Sequence, residues 1–141
     1  MSGTNAVTPD PISDAMTVRL RALRTRLLAL HKVLLDAERI NYERAHGALS
    51  NSDMLQLAIN HEQFGWLHPI SELIVRIDEA LEPKSSSTEP DATMLLTEAR
   101  KLLSPDENGK GFPKNYFEAL QQDPAAVLAH REVWLVLSQK V

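Results

Sequence analysis

One run of regularly spaced apolar residues constrains the fold of this 141-residue chain more than any other feature. Alternating intervals of four and three positions separate its members, which are Met16, Leu20, Leu23, Leu27, Leu30, Leu34, Ala37 and Asn41. This spacing places all of them on one face of an α-helix. Gly47 is a typical residue for ending such a helix, which would then be about 50 Å long. A helix of that length either projects from a domain of this size or is covered in part by a partner.

A second row widens the apolar face of this first helix. It consists of Arg24, Leu28, His31, Leu35, Glu38 and Tyr42. The two leucines in this row favour contact with another protein, including a second copy of the chain as a homodimer. A wide apolar face is also what a helix in a protein core shows, so the pattern supports both interpretations.

The composition points to a helical protein and excludes several kinds of chemistry. Aromatic residues make up only 5% of the chain, whereas leucine and alanine are abundant, which favours helices over sheets. The absence of cysteine excludes disulfides, thiolate catalysis and zinc–sulfur sites. The net charge of −4 disfavours nucleic acid as a partner. Because we find neither the apolar core of a signal peptide nor an apolar run long enough for a membrane span, we expect a cytoplasmic protein with no membrane contact.

The fold class predicted for this chain is all-α. We expect a four- to five-helix bundle, mainly antiparallel, with a long first helix and a proline-kinked middle helix. Residues 1–9 are small, polar and aperiodic, which predicts a disordered tail. Residues 10–141 are predicted to form a single helical-bundle domain. A polar, serine-rich segment at about 82–90 is its best candidate for a flexible loop.

The segment from His61 to Glu72 predicts the kink. Pro69 lacks a backbone donor, and its ring collides with the carbonyl four positions earlier, which belongs to Gly65. A kink or a fresh helix start is therefore expected there. The residues interpreted as structural anchors of the fold are Phe64, Gly65, Trp66, Pro69 and Trp134.

The same segment holds the best candidates for metal ligands. His61, His68 and Glu72 are separated by seven and four positions, which puts them on one helical stripe. The apolar residues of this segment centre on the opposite side, so the stripe is predicted to face water. Metal-binding bundles need inward ligands from several helices, and a single Glu43-x-x-His46 elsewhere does not supply them. We therefore expect no metal and no cofactor.

Polar residues at inward positions offer a different candidate site. His31, Glu38 and Asn41 lie in or beside the leucine stripe, and His130 lies among apolar residues of the last helix. Burying such groups costs free energy unless they are hydrogen-bonded. Two interpretations stay open, a structural network of hydrogen bonds and a ligand-binding pocket between the first and last helices.

Four closely spaced arginines raise the question of nucleic-acid binding. The four lie close together in sequence, but a helix spreads them around its axis; they are Arg19, Arg21, Arg24 and Arg26. Tracking a phosphate backbone needs one coherent basic face. We expect no nucleic acid as a partner.

Several of these motifs together resemble a known group of proteins. They are Phe64-Gly65-Trp66-Leu67-His68-Pro69-Ile70-Ser71, Ile77-Asp78-Glu79, Asp123-Pro124 and His130. The chain resembles a family of small, all-helical bacterial proteins of unknown function. The resemblance implies an all-helical domain and brings no activity, cofactor or site residue.

The leading functional hypothesis is a non-enzymatic cytoplasmic module that acts through protein contacts, either with a partner protein or by self-association. The alternative is a helical bundle that binds a metal or a small ligand in a pocket between its first and last helices. An enzyme is the third choice, because we find no acid–base pair that can be placed inward and therefore assign no catalytic residue.

Overall fold

A computed structural model describes residues 9–139 of the chain. These residues form seven helices and no β-strand. The only β-type pairing among them is an isolated bridge between Pro11 and Thr88. In chain order the helices are α1 (Asp14–His46), α2 (Asn51–Asn60), α3 (Glu62–Gly65), α4 (His68–Leu81), α5 (Glu89–Leu102), α6 (Phe112–Gln122) and α7 (Pro124–Leu137).

The long first helix is confirmed. The side chain of Ser13 caps its start by accepting a hydrogen bond from the backbone N–H of Met16, and Gly47 ends it with a positive φ of 88°. Its 33 residues span about 50 Å. The first six members of the predicted stripe are buried, but Ala37 is half-buried and Asn41 is exposed. The last turns of α1 therefore project beyond the densest part of the core.

Helices α7 and α4 pack against the first two thirds of α1, and both run in the opposite direction. Arg19, near the start of α1, contacts Leu137 at the end of α7, and Arg26 lies close to Glu132. On the α4 side, Arg24 pairs with Asp78, and His31 contacts Ser71. Helix α1 is thus the central element between α7 and α4.

The middle of the chain differs from the predicted kinked helix. His61 has an extended backbone, so α2 ends before it and the four-residue α3 begins after it. Helix α4 then starts afresh at His68, with Pro69 in its first turn. A proline is tolerated there because the first N–H groups of a helix have no partner within it. These breaks are one reason why the structure has seven helices instead of four or five.

The serine-rich loop is shorter than the predicted segment 82–90. Thr88 and Asp91 form a reciprocal capping box, so α5 begins at Glu89. Upstream, the hydroxyl of Ser87 receives a hydrogen bond from Ser85. The predicted disordered tail, residues 1–9, lies outside the described residues except for Pro9 and stays a prediction.

The core lies between α1, α4, α5 and α7. Its largest fully buried side chains include Tyr116 and Phe64 together with leucines from α1. Within the part of the chain that the structure describes, none of the helices is both long and apolar enough to cross a membrane.

Candidate functional site

The carboxylate of Glu38, on α1, is hydrogen-bonded to the chain segment that follows α2. One carboxylate oxygen accepts a hydrogen bond from Trp66 Nε1 at 3.2 Å, and the other accepts one from Gln63 Nε2 at 3.1 Å. The carboxylate is half-buried, and each of its oxygens has a partner. This geometry fits a hydrogen-bonded structural carboxylate, whose removal would leave the indole N–H without its acceptor.

Five aromatic rings continue from this contact, from the turn between α3 and α4 across α6 to α7. Successive ring centroids lie 5.4, 5.4, 5.4 and 6.1 Å apart, within the range of favourable aromatic pairing. We call this set the aromatic array; its members in order are Trp66, Phe112, Tyr116, His130 and Trp134. The array connects Glu38 to His130, two of the predicted site residues, without bringing them into contact.

The centre of the array is a hydrogen bond between Tyr116 and His130. The phenol oxygen lies 2.6 Å from His130 Nδ1, and the tyrosine is fully buried. Burial raises the pKa of Tyr116 and lowers the pKa of His130, so both groups are held neutral. A neutral imidazole whose Nδ1 carries no proton accepts the phenol's hydrogen. At the end of the array, Trp134 Nε1 donates to the carbonyl of Leu103 at 3.1 Å.

His31 lies away from the array and pairs with a different residue. Its Nε2 is 3.0 Å from the hydroxyl oxygen of Ser71 on α4. Burial, and next the nearby charge of His68, lower the pKa of His31. The sequence did not reveal this serine–histidine pair because the two residues are 40 positions apart.

Asn41 lies in a third place. It is exposed and lines a depression of about 570 Å³ between the second half of α1 and the start of α7. The four predicted ligand-binding residues therefore do not converge on one cavity. His31 faces α4, Glu38 faces α3, Asn41 faces the start of α7 and His130 faces α6.

The candidate metal ligands are not gathered either. His61 Nδ1 accepts a hydrogen bond from the backbone N–H of Gln63 and caps α3, while His68 and Glu72 are exposed on α4. Over residues 9–139, no three His, Cys, Asp or Glu side chains are grouped so that they could hold a metal ion. Glu43, from the single E-x-x-H motif, instead accepts a hydrogen bond from the backbone N–H of Leu49.

Three of the four clustered arginines have partners within the fold. Arg24 pairs with Asp78, and Arg26 lies 3.8 Å from Glu132. Arg19 is buried and donates to the backbone carbonyls at the end of α7. Arg21 is exposed.

The predicted anchors differ in how tightly they are held. Phe64 is fully buried, whereas Trp66 and Trp134 are half-buried with their indole nitrogens hydrogen-bonded. A methyl group added at Gly65 would make only an ordinary contact with His68, at 3.7 Å. Packing therefore does not require a glycine at this position.

Sequence reasoning missed Gln63, Ser71, Phe112 and Tyr116 as members of these sites. The four-residue interval between Phe112 and Tyr116 does signal that both rings lie on one face of α6. For Gln63 and Ser71 we find no comparable signal, since their partners lie on another helix.

Comparison of the chain with protein-family models, with curated proteins and with solved structures gives no match. The all-helical architecture is shown by the structure itself.

Proposed function

We propose that this chain is a non-enzymatic, cytoplasmic helical module that acts by pairing with a second copy of itself through the α1–α7 face. The observation that carries the proposal is a second stripe on α1, exposed or half-buried and distinct from the buried one. We call it the outer stripe; its members are Val18, Ala22, Thr25, Ala29, Val33, Asp36 and Ile40. Membership in the bacterial family that the sequence resembles belongs to the same proposal.

The outer stripe contains large apolar side chains that face solvent. Val18 is 69% exposed and Ile40 is 51% exposed. On the neighbouring α7, Leu128 and Leu135 are 62% and 53% exposed. Isolated apolar residues are common on protein surfaces, but a row of them along two adjacent helices is typical of a contact surface.

The outer stripe is nearly symmetric about its own centre. Val18 and Ile40 lie eleven positions on either side of Ala29, and Thr25 and Val33 lie four positions on either side. If two copies of α1 cross antiparallel at Ala29, Val18 of each copy lies opposite Ile40 of the other. Such a two-fold axis uses the same surface on both chains, which is the commonest symmetry of protein dimers.

The flanking charges are complementary in this arrangement. Asp14 and Arg44 lie fifteen positions on either side of Ala29, and Arg21 and Asp36 lie eight and seven positions away. Antiparallel pairing therefore puts Asp14 of one copy near Arg44 of the other, and Arg21 near Asp36. Opposite charges across an interface select the partner and its register more than they add affinity.

Near the centre of this arrangement, Arg26 of one copy lies opposite Lys32 of the other. Each cation has a carboxylate of its own chain nearby. Glu132 lies 3.8 Å from Arg26, and Asp36 lies 2.8 Å from Lys32. These carboxylates reduce the repulsion between the two cations.

The second row on α1 that we described from the sequence lies on a different side of that helix and offers another possible contact surface. Leu28 is 42% exposed beside α4, and Leu35 is half-buried. A single exposed leucine offers less area than the outer stripe with α7, so the α1–α7 face is the surface we propose.

Sedimentation equilibrium over a range of protein concentrations tests the pairing. We expect a dimer at about 100 µM, and we expect Ala29→Glu to weaken it at least tenfold, because two carboxylates would meet at the axis. Val75→Glu, at an exposed site on α4, is the matched control and should leave the dimer unchanged. A wild-type protein that stays monomeric at this concentration would contradict the proposal.

A charge reversal tests the register itself. Asp14→Lys or Arg44→Glu alone should weaken the dimer, and the two changes together should restore it, because the pair is rebuilt with opposite polarity. A double variant as weak as the single variants would exclude the antiparallel register about Ala29.

A ligand-binding protein remains the second candidate. The depression of about 570 Å³ between α1 and the start of α7 supports it, since Asn41 lies there with Arg44 and Asp123 beside the apolar side chains of Val33 and Ile40. A thermal-shift screen of small polar ligands, iron and zinc tests this function. Stabilisation that disappears in Asn41→Ala supports the depression as the binding site, and no stabilisation by any compound contradicts it.

A further inference from the structure

A small cavity lies on the opposite side of α1 from the outer stripe. It is bounded by α1, α2 and α4, with a volume of about 210 Å³. Most of its wall is apolar and includes Leu35, Ile59, Phe64 and Leu67. Apolar cavities with a few convergent polar groups are the usual form of small-ligand sites.

Three polar side chains line the same cavity. Ser71 and His31 are hydrogen-bonded to each other at 3.0 Å, and His68 lies one turn before Ser71 on α4. The proximity of His68 contributes to the lowered pKa of His31, after burial. Two protonated imidazoles here would repel each other, and an anion between them would relieve that repulsion.

Among residues 9–139, no carboxylate lines this cavity. On α1, Glu38 is held by Trp66 and Gln63, and Lys32, next to His31, pairs with Asp36. On α4, Glu72 is exposed and lines a neighbouring shallow depression with Ser71, Val75 and Arg76, and Asp78 pairs with Arg24. Glu62 on α3 is exposed, and α2 contributes only Ala58 and Ile59. The charge that the cavity can develop is therefore positive.

The side chains that line the cavity favour one class of anion over others and do not suit a metal ion. No arginine or lysine lines the cavity, so the multiple donors that phosphate groups prefer are absent from it. Two imidazoles with no third protein ligand do not make a metal centre in residues 9–139. A monoanion with an apolar body matches both the polar groups and the walls.

We propose that the cavity between α1, α2 and α4 binds a small organic monocarboxylate. The apolar part of the ligand packs against Leu35, Phe64 and Leu67. The carboxylate accepts hydrogen bonds from His68 and from the Ser71 hydroxyl, whose oxygen in turn accepts one from His31 Nε2. This inference goes beyond the proposed pairing and is independent of it, because the outer stripe lies on the α7 side of α1.

The five histidines make a direct test possible in the unmodified protein. Their imidazole pKa values can be followed by NMR with and without benzoate, a probe small enough for the cavity. We expect benzoate to raise the pKa of His31 and to leave the pKa of His130, which lies outside the cavity, unchanged. Shifts of equal size at these two histidines, or none at either, would overturn the proposal.

The pH dependence and a neutral analogue supply the second measurement. A raised pKa means that protonated His31 binds benzoate more tightly than neutral His31 does, so benzoate should bind severalfold more tightly at pH 6 than at pH 8. Benzamide has the same shape without the charge and should show no such dependence. Equal binding of benzoate and benzamide at pH 6 would contradict recognition of a carboxylate.

Two variants complete the design. Ser71→Ala keeps a good helix former in α4 but removes one donor, and we expect it to weaken benzoate binding about fivefold. His46→Gln changes an exposed histidine outside the cavity and should bind as the wild type does. A Ser71→Ala protein with unchanged affinity would exclude the hydroxyl from the site.

Discussion

At the scale of single residues, several polar side chains that are half-buried, or fully buried in the case of Tyr116, are joined in pairs. Glu38 accepts from Trp66, Ser71 contacts His31, and Tyr116 contacts His130. Such pairs offset the free-energy cost of burying polar atoms. When one member is removed, the other is left buried without a hydrogen-bond partner. Substitution of one partner is therefore expected to cost more than the hydrogen bond itself.

We expect Glu38→Ala to lower the free energy of unfolding by about 1–3 kcal/mol, because Trp66 Nε1 loses its acceptor and Gln63 Nε2 keeps only the backbone carbonyl of residue 38. Urea denaturation followed by tryptophan fluorescence measures it. Glu79→Ala removes an exposed carboxylate from α4 and is the matched control, with an expected change within about 0.5 kcal/mol. An unchanged midpoint for Glu38→Ala, or full tolerance of leucine there, would show that this network does not stabilise the fold.

The buried histidines predict how stability depends on pH. The pKa values of His31 and His130 are lowered in the folded state, so the unfolded chain binds protons more readily. Stability is therefore complete above the unfolded pKa of about 6.5 and falls as the pH drops toward the folded values. Urea titrations at fixed protein concentration from pH 8 to pH 5 should show this loss. His130→Gln retains an acceptor for Tyr116 and should show a weaker loss; an identical slope would rule out His130 as a source.

At the scale of elements, local chain chemistry decides where the helices begin and end. Capping boxes start α2 and α5, and prolines occupy the first turns of α4, α5, α6 and α7. Gly111 precedes α6 with φ 66° and ψ −134°, a conformation that is nearly restricted to glycine. Gly65, by contrast, ends α3 without a positive φ.

These two glycines predict opposite outcomes for the same substitution. Gly111→Ala should destabilise the protein by about 1–3 kcal/mol through backbone strain alone, because an added methyl group meets nothing within 4 Å. Gly65→Ala should be neutral or stabilising by up to about 1 kcal/mol, since alanine reduces the freedom of the unfolded chain. Thermal unfolding of the two variants side by side checks the prediction. A large destabilisation by Gly65→Ala would show that the break between α3 and α4 needs a glycine after all.

At the scale of the whole molecule, two arginines join distant parts of the chain at the end of α7. Arg19 donates to the carbonyls of Val136, Leu137 and Gln139, and Arg100 donates to Leu137 as well. The last carbonyls of a helix have no partner within it, and the helix dipole favours positive charge there. These contacts tie the first helix and α5 to the last helix.

We expect Arg19→Met to destabilise the protein by about 2–4 kcal/mol and Arg100→Met by less, because Arg19 is more deeply buried and serves more carbonyls. Hydrogen exchange should show faster opening of the last turns of α7 in the Arg19 variant. Lys101→Met, at an exposed site on α5, is the control. Equal stability of the Arg19 and Lys101 variants would contradict the role of the buried guanidinium.

The sequence by itself determined the helical class, the length of α1 and the buried face of its first six turns. These features depend on periodicity and on capping residues, which act over a few neighbouring positions. Only the tertiary structure decided which polar residues meet. Glu38 and Trp66 are 28 positions apart, and His31 and Ser71 are 40 apart, so their contacts depend on how the helices pack and in which register. The prediction of one pocket required four side chains to point in a common direction; they are those of His31, Glu38, Asn41 and His130. Small differences in angle around α1 and α7 instead direct these side chains toward different neighbours.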